Sequence, residues 1–429
     1  MFSALQKQLD ERAASGLLRK RHTVQSPQSP HITVDGKEYL SFCSNDYLGL
    51  ANHTQLIAAM QQGAQQWGAG AGAAHLVSGH SQAHHDLEQI LAEFAGTPAA
   101  LLFSTGYMAN LGVVQALVGK GDTVFADKLN HASLNDAMLL SRAKVQRYRH
   151  NDMAHLADLL KRCDNTSSSR REQGEMQGAA QRATRHTEVV DEERVSTRRS
   201  SSHAQQADRG VGRKLIITDA VFSMDGDLAC LPELLALCEQ YDGWLLVDDA
   251  HGFGVLGNEG RGSLSHFKLA SPRIIYMATL GKAAGVFGAF VAAEQVVIDT
   301  LVNHARSYVY TTATPPALAS ALMEGVKLIS QGDAMRTHLQ KMIAQLRDGL
   351  SDFPYQLMPS DTAIQPLMIG DNQQALALSD GLREQGIWVA AIRPPTVPQG
   401  TARLRITLSA AHTVADVEQL IGALHELVR

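Results

Sequence analysis

Only four of the 429 residues are cysteine. Cys43, Cys163, Cys230 and Cys238 form no Cys-x-x-Cys pair and no His/Cys metal spacing, so reduced thiols are expected, with neither a disulfide framework nor a metal centre. Long apolar runs are also missing: nothing approaches the roughly 18 consecutive apolar residues that a membrane span requires. The first 21 residues mix Lys7, Asp10, Glu11, Arg12 and Arg19 with Phe2, Leu5, Leu9, Leu17 and Leu18. That mixture predicts an amphipathic helix, where a signal peptide would carry an unbroken apolar core. Strong charge of one sign is absent as well. A formal net charge of -5 provides no general attraction to nucleic acid or to an anionic membrane. The expectation is a soluble, cytoplasmic protein with neither as a partner.

What is present is an ordinary globular composition, 45% hydrophobic and 19% charged, long enough for two or three domains. Short apolar runs bounded by Gly, Asp, Ser or Thr predict strands at Ala99–Phe103, Thr123–Ala126, Leu215–Thr218, Trp244–Val247, Ile274–Met277 and Ala289–Ala292. Between them lie helical spacings such as Leu87, Ile90, Leu91 and Phe94. The alternation predicts an α/β fold, a mostly parallel sheet covered by helices, with ligands at the carboxyl ends of its strands. After about residue 300 a long helical tract opens at Pro315-Pro316 and runs through Leu350. Strand-like Ile364–Ile369, Trp388–Ile392 and Leu404–Thr407 and a final helix, Val414–Val428, complete a smaller α+β domain. The boundaries expected are an N-terminal helical arm over 1–45, a large domain over 46–299 and the C-terminal domain over 300–429. One segment departs from this texture: Asp164–Arg213 is rich in Ser, Arg, Gln and Glu, and reads as a mobile insertion. The run Gly68-Ala69-Gly70-Ala71-Gly72 lacks the Gly-Lys-Ser/Thr ending of a phosphate-binding loop. It is expected to be a loop of close backbone approach near the active site.

The chemistry concentrates in two segments. Leu245-Leu246-Val247 runs into Asp248-Asp249-Ala250-His251-Gly252, and Ile274-Ile275-Tyr276-Met277-Ala278 runs into Thr279-Leu280-Gly281-Lys282. Pyridoxal phosphate needs an amine to condense with its aldehyde, an acid to keep its pyridine nitrogen protonated, and polar groups around the ring. Lys282 and Asp248 supply the first two. Either segment alone reads equally well as a polar strand end with a solvated lysine; the pair in this order does not. Thr105-Gly106-Tyr107 follows a predicted strand and opens a helix, a place where backbone N–H groups and the helix dipole suit a phosphate.

Further motifs accompany these: Ser44-Asn45-Asp46-Tyr47-Leu48-Gly49-Leu50, Leu129-Asn130-His131-Ala132-Ser133, Val221-Phe222-Ser223-Met224-Asp225-Gly226-Asp227 and Ile392-Arg393-Pro394-Pro395-Thr396-Val397-Pro398. With them the chain resembles the alpha-oxoamine synthases, fold-type I pyridoxal phosphate transferases, over nearly its whole length apart from the insertion. The resemblance implies that Lys282 holds the cofactor and serves as base at the substrate's alpha carbon. It implies that Asp248 pairs with the pyridine nitrogen, that His251 and Ser223 bond near the phenolic oxygen, and that His131 stacks on the ring. Gly106, Tyr107 and Thr279 would bind the phosphate together with Thr312 of a neighbouring copy, making a homodimer with shared active sites. Arg19, His131 and Thr396 would contact substrate. Arg405 would clamp the amino acid carboxylate, with Arg393 and Arg403 as rivals.

The reaction so implied is an acyltransferase condensation of L-alanine with a pimeloyl thioester, carried on coenzyme A or acyl carrier protein, in biotin biosynthesis. Glycine with an acetyl, succinyl or long acyl thioester is the alternative within the family. A non-catalytic binding or regulatory protein on the same fold is the alternative outside it. One departure from the family's pattern is Ala283-Ala284-Gly285-Val286-Phe287-Gly288, where relatives carry more glycine or serine.

Overall fold

The computed structural model describes residues 2–15, 17–19, 21–165 and 212–429. Near the N-terminus, β1 (His31–Val34) and β2 (Lys37–Ser41) form a hairpin. Its two-residue turn, Asp35-Gly36, has both φ angles positive, as a tight hairpin turn requires. The main sheet then takes β3 (Ala99–Phe103), β4 (Thr123–Asp127), β5 (Lys144–Tyr148), β6 (Lys214–Asp219), β7 (Trp244–Asp248), β8 (Ile274–Thr279) and β9 (Ala289–Ala293). Its seven strands lie in the order β3-β9-β8-β7-β6-β4-β5, and only β9 runs against the others.

The central strands are buried on both faces, and their side chains alternate between two cores. Leu245, Val247, Ile274 and Tyr276 point to one layer; Leu246, Ile275 and Met277 point to the other. Leu87, Leu91 and Phe94 of the helix Gln82–Ala95 cover the first face. Val113, Val114 and Leu117 of the helix Gly106–Leu117 cover the second. All six predicted strands are present, five of them longer by one or two residues. The missed strand, β5, is an edge strand whose residues before the buried Tyr148 are exposed or half-buried, so it carries no apolar run.

In the C-terminal portion the helical tract is two helices, Pro316–Ser330 and Asp333–Gly349, parted at Gln331-Gly332. A second sheet has the order β10-β11-β14-β13, from β10 (Gln356–Leu357), β11 (Ile364–Gly370), β13 (Ala390–Ile392) and β14 (Ala402–Thr407). The run predicted as one strand over Trp388–Ile392 divides. Its start lies in β12 (Ile387–Trp388), which pairs in parallel with β2, while β13 joins β14.

The N-terminal helix covers Ser3–Ala14 and buries none of its residues. Most of the predicted insertion, 166–211, lies outside the described residues, but its edges are held. Asp164 ion-pairs with Lys214, and Arg213 donates to Asp122 through its backbone N–H and to the Leu117 carbonyl through its guanidinium. The glycine run also departs from expectation. A side chain built at Gly68, Gly70 or Gly72 meets nothing within 4 Å, so close approach is not their role; Gly68 and Gly72 instead take positive φ. Gly68, with φ 82°, ends the helix Thr54–Trp67.

Candidate active site

Residues from separate segments converge where the parallel strands end. Asp219 closes β6 and lies in register with Asp248, which closes β7; Thr279 closes β8. A cavity of about 650 Å3 opens beyond them, lined in part by Arg19, His131, Ser223, His251, Lys282, Thr396 and Arg405.

Lys282 is the chemical centre. Its Nζ stands 2.9 Å from Nε2 of His251, whose Nδ1 is 2.5 Å from the Tyr47 hydroxyl. Burial lowers the Lys282 pKa to about 8, although Asp248 and Asp219 work in the opposite direction. Burial likewise pushes His251 well below its ordinary value, and the nearby Lys282 and Arg405 charges add to this. The imidazole is therefore neutral against an amine that is partly neutral at physiological pH.

Asp248 is held from two sides. Oδ1 accepts the Ala250 N–H at 3.0 Å, and Oδ2 accepts from Asn110 at 2.7 Å. The same Asn110 amide reaches Ser133 Oγ at 2.9 Å, and that hydroxyl lies 2.8 Å from His131 Nδ1. The backbone N–H of His131 donates to Asp219 Oδ2 at 2.6 Å. A polar chain, buried from Asp248 through Asn110 to Ser133 and open to the cavity at His131, thus fixes the acid and the imidazole relative to each other. Burial raises Asp219 well above the carboxylate range, and the Asp248 charge reinforces it. For His131 burial acts downward, Asp248 pulls partly back, and Lys282 adds to the lowering.

The helix Gly106–Leu117 links this chain to a second feature. Thr105 caps it by accepting the Met108 N–H at 3.2 Å. A side chain on Gly106 would come within 2.6 Å of Thr279 Cγ2, so only glycine allows the helix start to approach β8 so closely. Thr279 Oγ1 is buried without a hydrogen-bond partner. An unpaired hydroxyl beside a capped helix N-terminus fits a phosphate, and Lys282 with Asp248 fits the ring of the same cofactor. The residues present therefore fit pyridoxal phosphate.

Not every expected residue lines the cavity. Gly106, Thr279 and Asp248 lie in the strand-end and helix-start framework just described. Tyr107 is 43% exposed, and its hydroxyl donates to Asp136. Thr312 is exposed outside the cavity, bridged to Ala74. Among the arginines, Arg403 is occupied by the Asp225 carboxylate and the Met224 carbonyl, and Arg393 does not line the cavity. Arg405 does line it, and donates to the Ser223 carbonyl at 2.7 Å, Thr407 at 2.9 Å and Asn45 at 3.2 Å. Those bonds use three of the five N–H groups of a guanidinium. Sequence reasoning assigned no role to Asn110 or Asp219. Asp219 left a trace, since it ends an apolar run just as Asp248 does; Asn110 is a polar residue inside a helix and left none.

The fold and site define a pyridoxal phosphate-dependent transferase of fold type I. Residues 37–424 match the family described as aminotransferase class I and II. The chain is 56% identical to an 8-amino-7-oxononanoate synthase of Nitrosospira multiformis, over 99% of this chain and 96% of that protein. A protein of the same name from Nitrosomonas europaea is 52% identical over the whole of both chains. Among solved structures, serine palmitoyltransferase of S. paucimobilis with a bound PLP-myriocin adduct superposes with a TM-score of 0.83. It has 26% identity and covers 99% of this chain and 97% of that one. An 8-amino-7-oxononanoate synthase of Francisella tularensis gives a TM-score of 0.70 at 28% identity, covering 91% and 98%. The chain belongs to the class I and II aminotransferase family and, within it, to the 8-amino-7-oxononanoate synthases. Among the described residues no helix is long and apolar enough to cross a membrane.

Proposed function

We propose that the chain condenses L-alanine with a pimeloyl thioester, expelling the thiol and carbon dioxide, to form 8-amino-7-oxononanoate for biotin. The observation that carries this reading is Lys282, half-buried, lowered to about 8 and in contact with His251 inside a cavity that also presents Arg405. Pyridoxal phosphate, when bound, withdraws the electron pair released at the amino acid's alpha carbon.

Every other part belongs to the protein. The neutral fraction of Lys282 takes the alpha proton and later returns it. Asp248, held by Asn110 and Ala250, keeps a carboxylate opposite the pyridine nitrogen. His251 and Ser223 stand by the phenolic oxygen. His131 offers its flat face to the ring and polarises the thioester oxygen. Gly106, Tyr107 and Thr279 take the phosphate, with the partner subunit's Thr312 completing it in a homodimer. Exposed apolar side chains at Val77 (79%) and Tyr310 (73%) flank the Thr312 segment and support burial by a second copy. Arg405 grips the alanine carboxylate until it leaves as carbon dioxide. Arg19 and Thr396, at the exposed side of the cavity, meet the acyl chain and its carboxylate.

The test supplies purified protein with pyridoxal phosphate and compares L-alanine plus pimeloyl-coenzyme A or pimeloyl acyl carrier protein with glycine plus shorter acyl thioesters. Product with alanine and the pimeloyl thioester, lost in Lys282→Ala, is the expected result. Turnover confined to glycine with acetyl or succinyl thioesters would overturn the substrate assignment. A visible absorbance of the bound cofactor identical in wild type and Lys282→Ala would overturn the catalytic role of Lys282.

A further inference from the structure

Outside the active-site cavity, three imidazoles converge at the start of the helix Gln82–Ala95. His75 opens the short π-helical turn His75–Gly79, His80 ends it, and His84 lies in the first turn of the following helix. One ring nitrogen of each lies within 4.8 Å of the others. The ring centroids are 5.4 Å apart for His75 and His80, 5.1 Å for His75 and His84, and 5.7 Å for His80 and His84. A tetrahedral ion with bonds of about 2.05 Å to three imidazole nitrogens would place the ring centroids about 5.2 Å apart. The observed triangle is close to that geometry before any ion arrives.

The hydrogen bonds fit ligation. His84 Nε2 donates to the Thr314 carbonyl at 2.8 Å, which is the outer contact that fixes a ligating tautomer and leaves Nδ1 as the coordinating atom. That Nδ1 now accepts from the Ser81 N–H at 3.1 Å and from the Ser81 hydroxyl at 3.0 Å, contacts the ion would replace. His75 and His80 face each other through their Nδ1 atoms at 3.1 Å, so one carries a proton between them. With an ion there, both lone pairs turn to it, and the His80 proton moves to Nε2, which lies 3.8 Å from Glu88. Solvent water relays that proton, leaving Nδ1 free for the ion and Nε2 protonated.

Burial lowers all three imidazoles, His75 to about 4, with the neighbouring histidines reinforcing the effect at His75 and His80. They are therefore neutral donors at physiological pH. His80 is exposed, and a cavity of about 480 Å3 lined by His75, His80, His85, Glu88 and Asp299 gives access from solvent.

We propose that His75, His80 and His84 bind one divalent transition-metal ion of the zinc class, with water in the fourth position. The ion would not enter the condensation chemistry. His75 stacks on Tyr308 with ring centroids 5.0 Å apart, and His84 bonds Thr314, so the ion would fasten the turn to the segment carrying Thr312.

The experiment loads the pyridoxal phosphate-bound protein with zinc chloride, dialyses it, and measures bound metal and melting temperature, with His80→Ala in parallel. His80 is exposed, so its loss leaves the core intact. Wild type should retain one zinc per chain and melt higher with it. His80→Ala should bind at least about 100-fold more weakly, given that lost outer contacts alone cost 10–100-fold. Cobalt(II) in wild type should show the d–d absorbance of a tetrahedral nitrogen site, absent in His80→Ala. No retained metal in wild type, or equal retention in the two proteins, would overturn the proposal.

Discussion

Lys282 connects burial to reactivity most directly. Its ordinary pKa near 10.5 is lowered to about 8 because the ammonium form loses its water. The amine that captures the cofactor is the neutral form, so capture depends on pH through this group. In protein stripped of cofactor, the rate of pyridoxal phosphate uptake should rise about tenfold per pH unit up to about pH 8 and level off above it. Stopped-flow absorbance across pH 6–10 measures this, and a rise continuing unbroken to pH 10 would contradict it. A second residue-scale prediction concerns Asn110, which bonds both Asp248 and Ser133. Asn110→Ala leaves the Asp248 carboxylate without its Oδ2 donor. Loss of a hydrogen bond to a buried charge costs about 2 kcal/mol, so cofactor affinity by fluorescence titration should fall roughly thirtyfold. An unchanged affinity would mean that Ala250 alone holds the acid.

Between elements, arginines and one histidine place the Ser223 turn. Arg403 and Arg405 both rise from β14, one holding Asp225 and Met224 and the other the Ser223 carbonyl. On the other side, His150 lies just after β5, between Asp127 at 3.0 Å and Asp227 at 2.8 Å. Burial works against charge on His150, but hydrogen bonds to the two carboxylates overcome it and raise its pKa to about 10. The stabilising contribution of His150 is therefore complete below its unfolded value near 6.5 and fades as pH climbs through about 10. His150→Ala removes the cation and leaves Asp127, 1% exposed, without it. The variant should lose about 3 kcal/mol near neutral pH, and the loss should shrink toward pH 10. Urea denaturation at both pH values checks this; equal losses at each would show that packing, not charge, is what His150 supplies.

For the molecule as a whole, the segment outside the described residues has edges that the fold uses. Asp164 pairs with Lys214, and Arg213 reaches Asp122 and Leu117, so both flanks belong to the sheet's framework. Deleting 166–211 with a short Gly/Ser linker, while keeping Asn165 and Gly212, should leave turnover within about twofold and Tm within a few degrees. Deleting Asp164 and Arg213 as well should lower Tm further. If the first deletion abolished turnover while the protein stayed folded, the segment would have a part in the reaction.

The central strands and the helices over them were legible because strands buried on both faces must be continuously apolar, and helices on a sheet must repeat every three to four residues. Lys282, Asp248 and His251 were legible because chemistry at strand ends interrupts such runs with polar residues. β5 escaped because an edge strand has little to bury, and the hairpin of β1 and β2 because its Asp35-Gly36 turn lies between short strands. What the sequence determined by itself was therefore the local order: the strand ends, the amine, its acid and the class of chemistry they serve. Only the tertiary structure decided which distant groups meet. Asn110 reaches Asp248, Asp219 holds His131, and Arg405 rather than Arg403 lines the cavity. The physical reason is that such contacts join residues up to 360 positions apart, as in Arg405 and Asn45, and no local spacing records them.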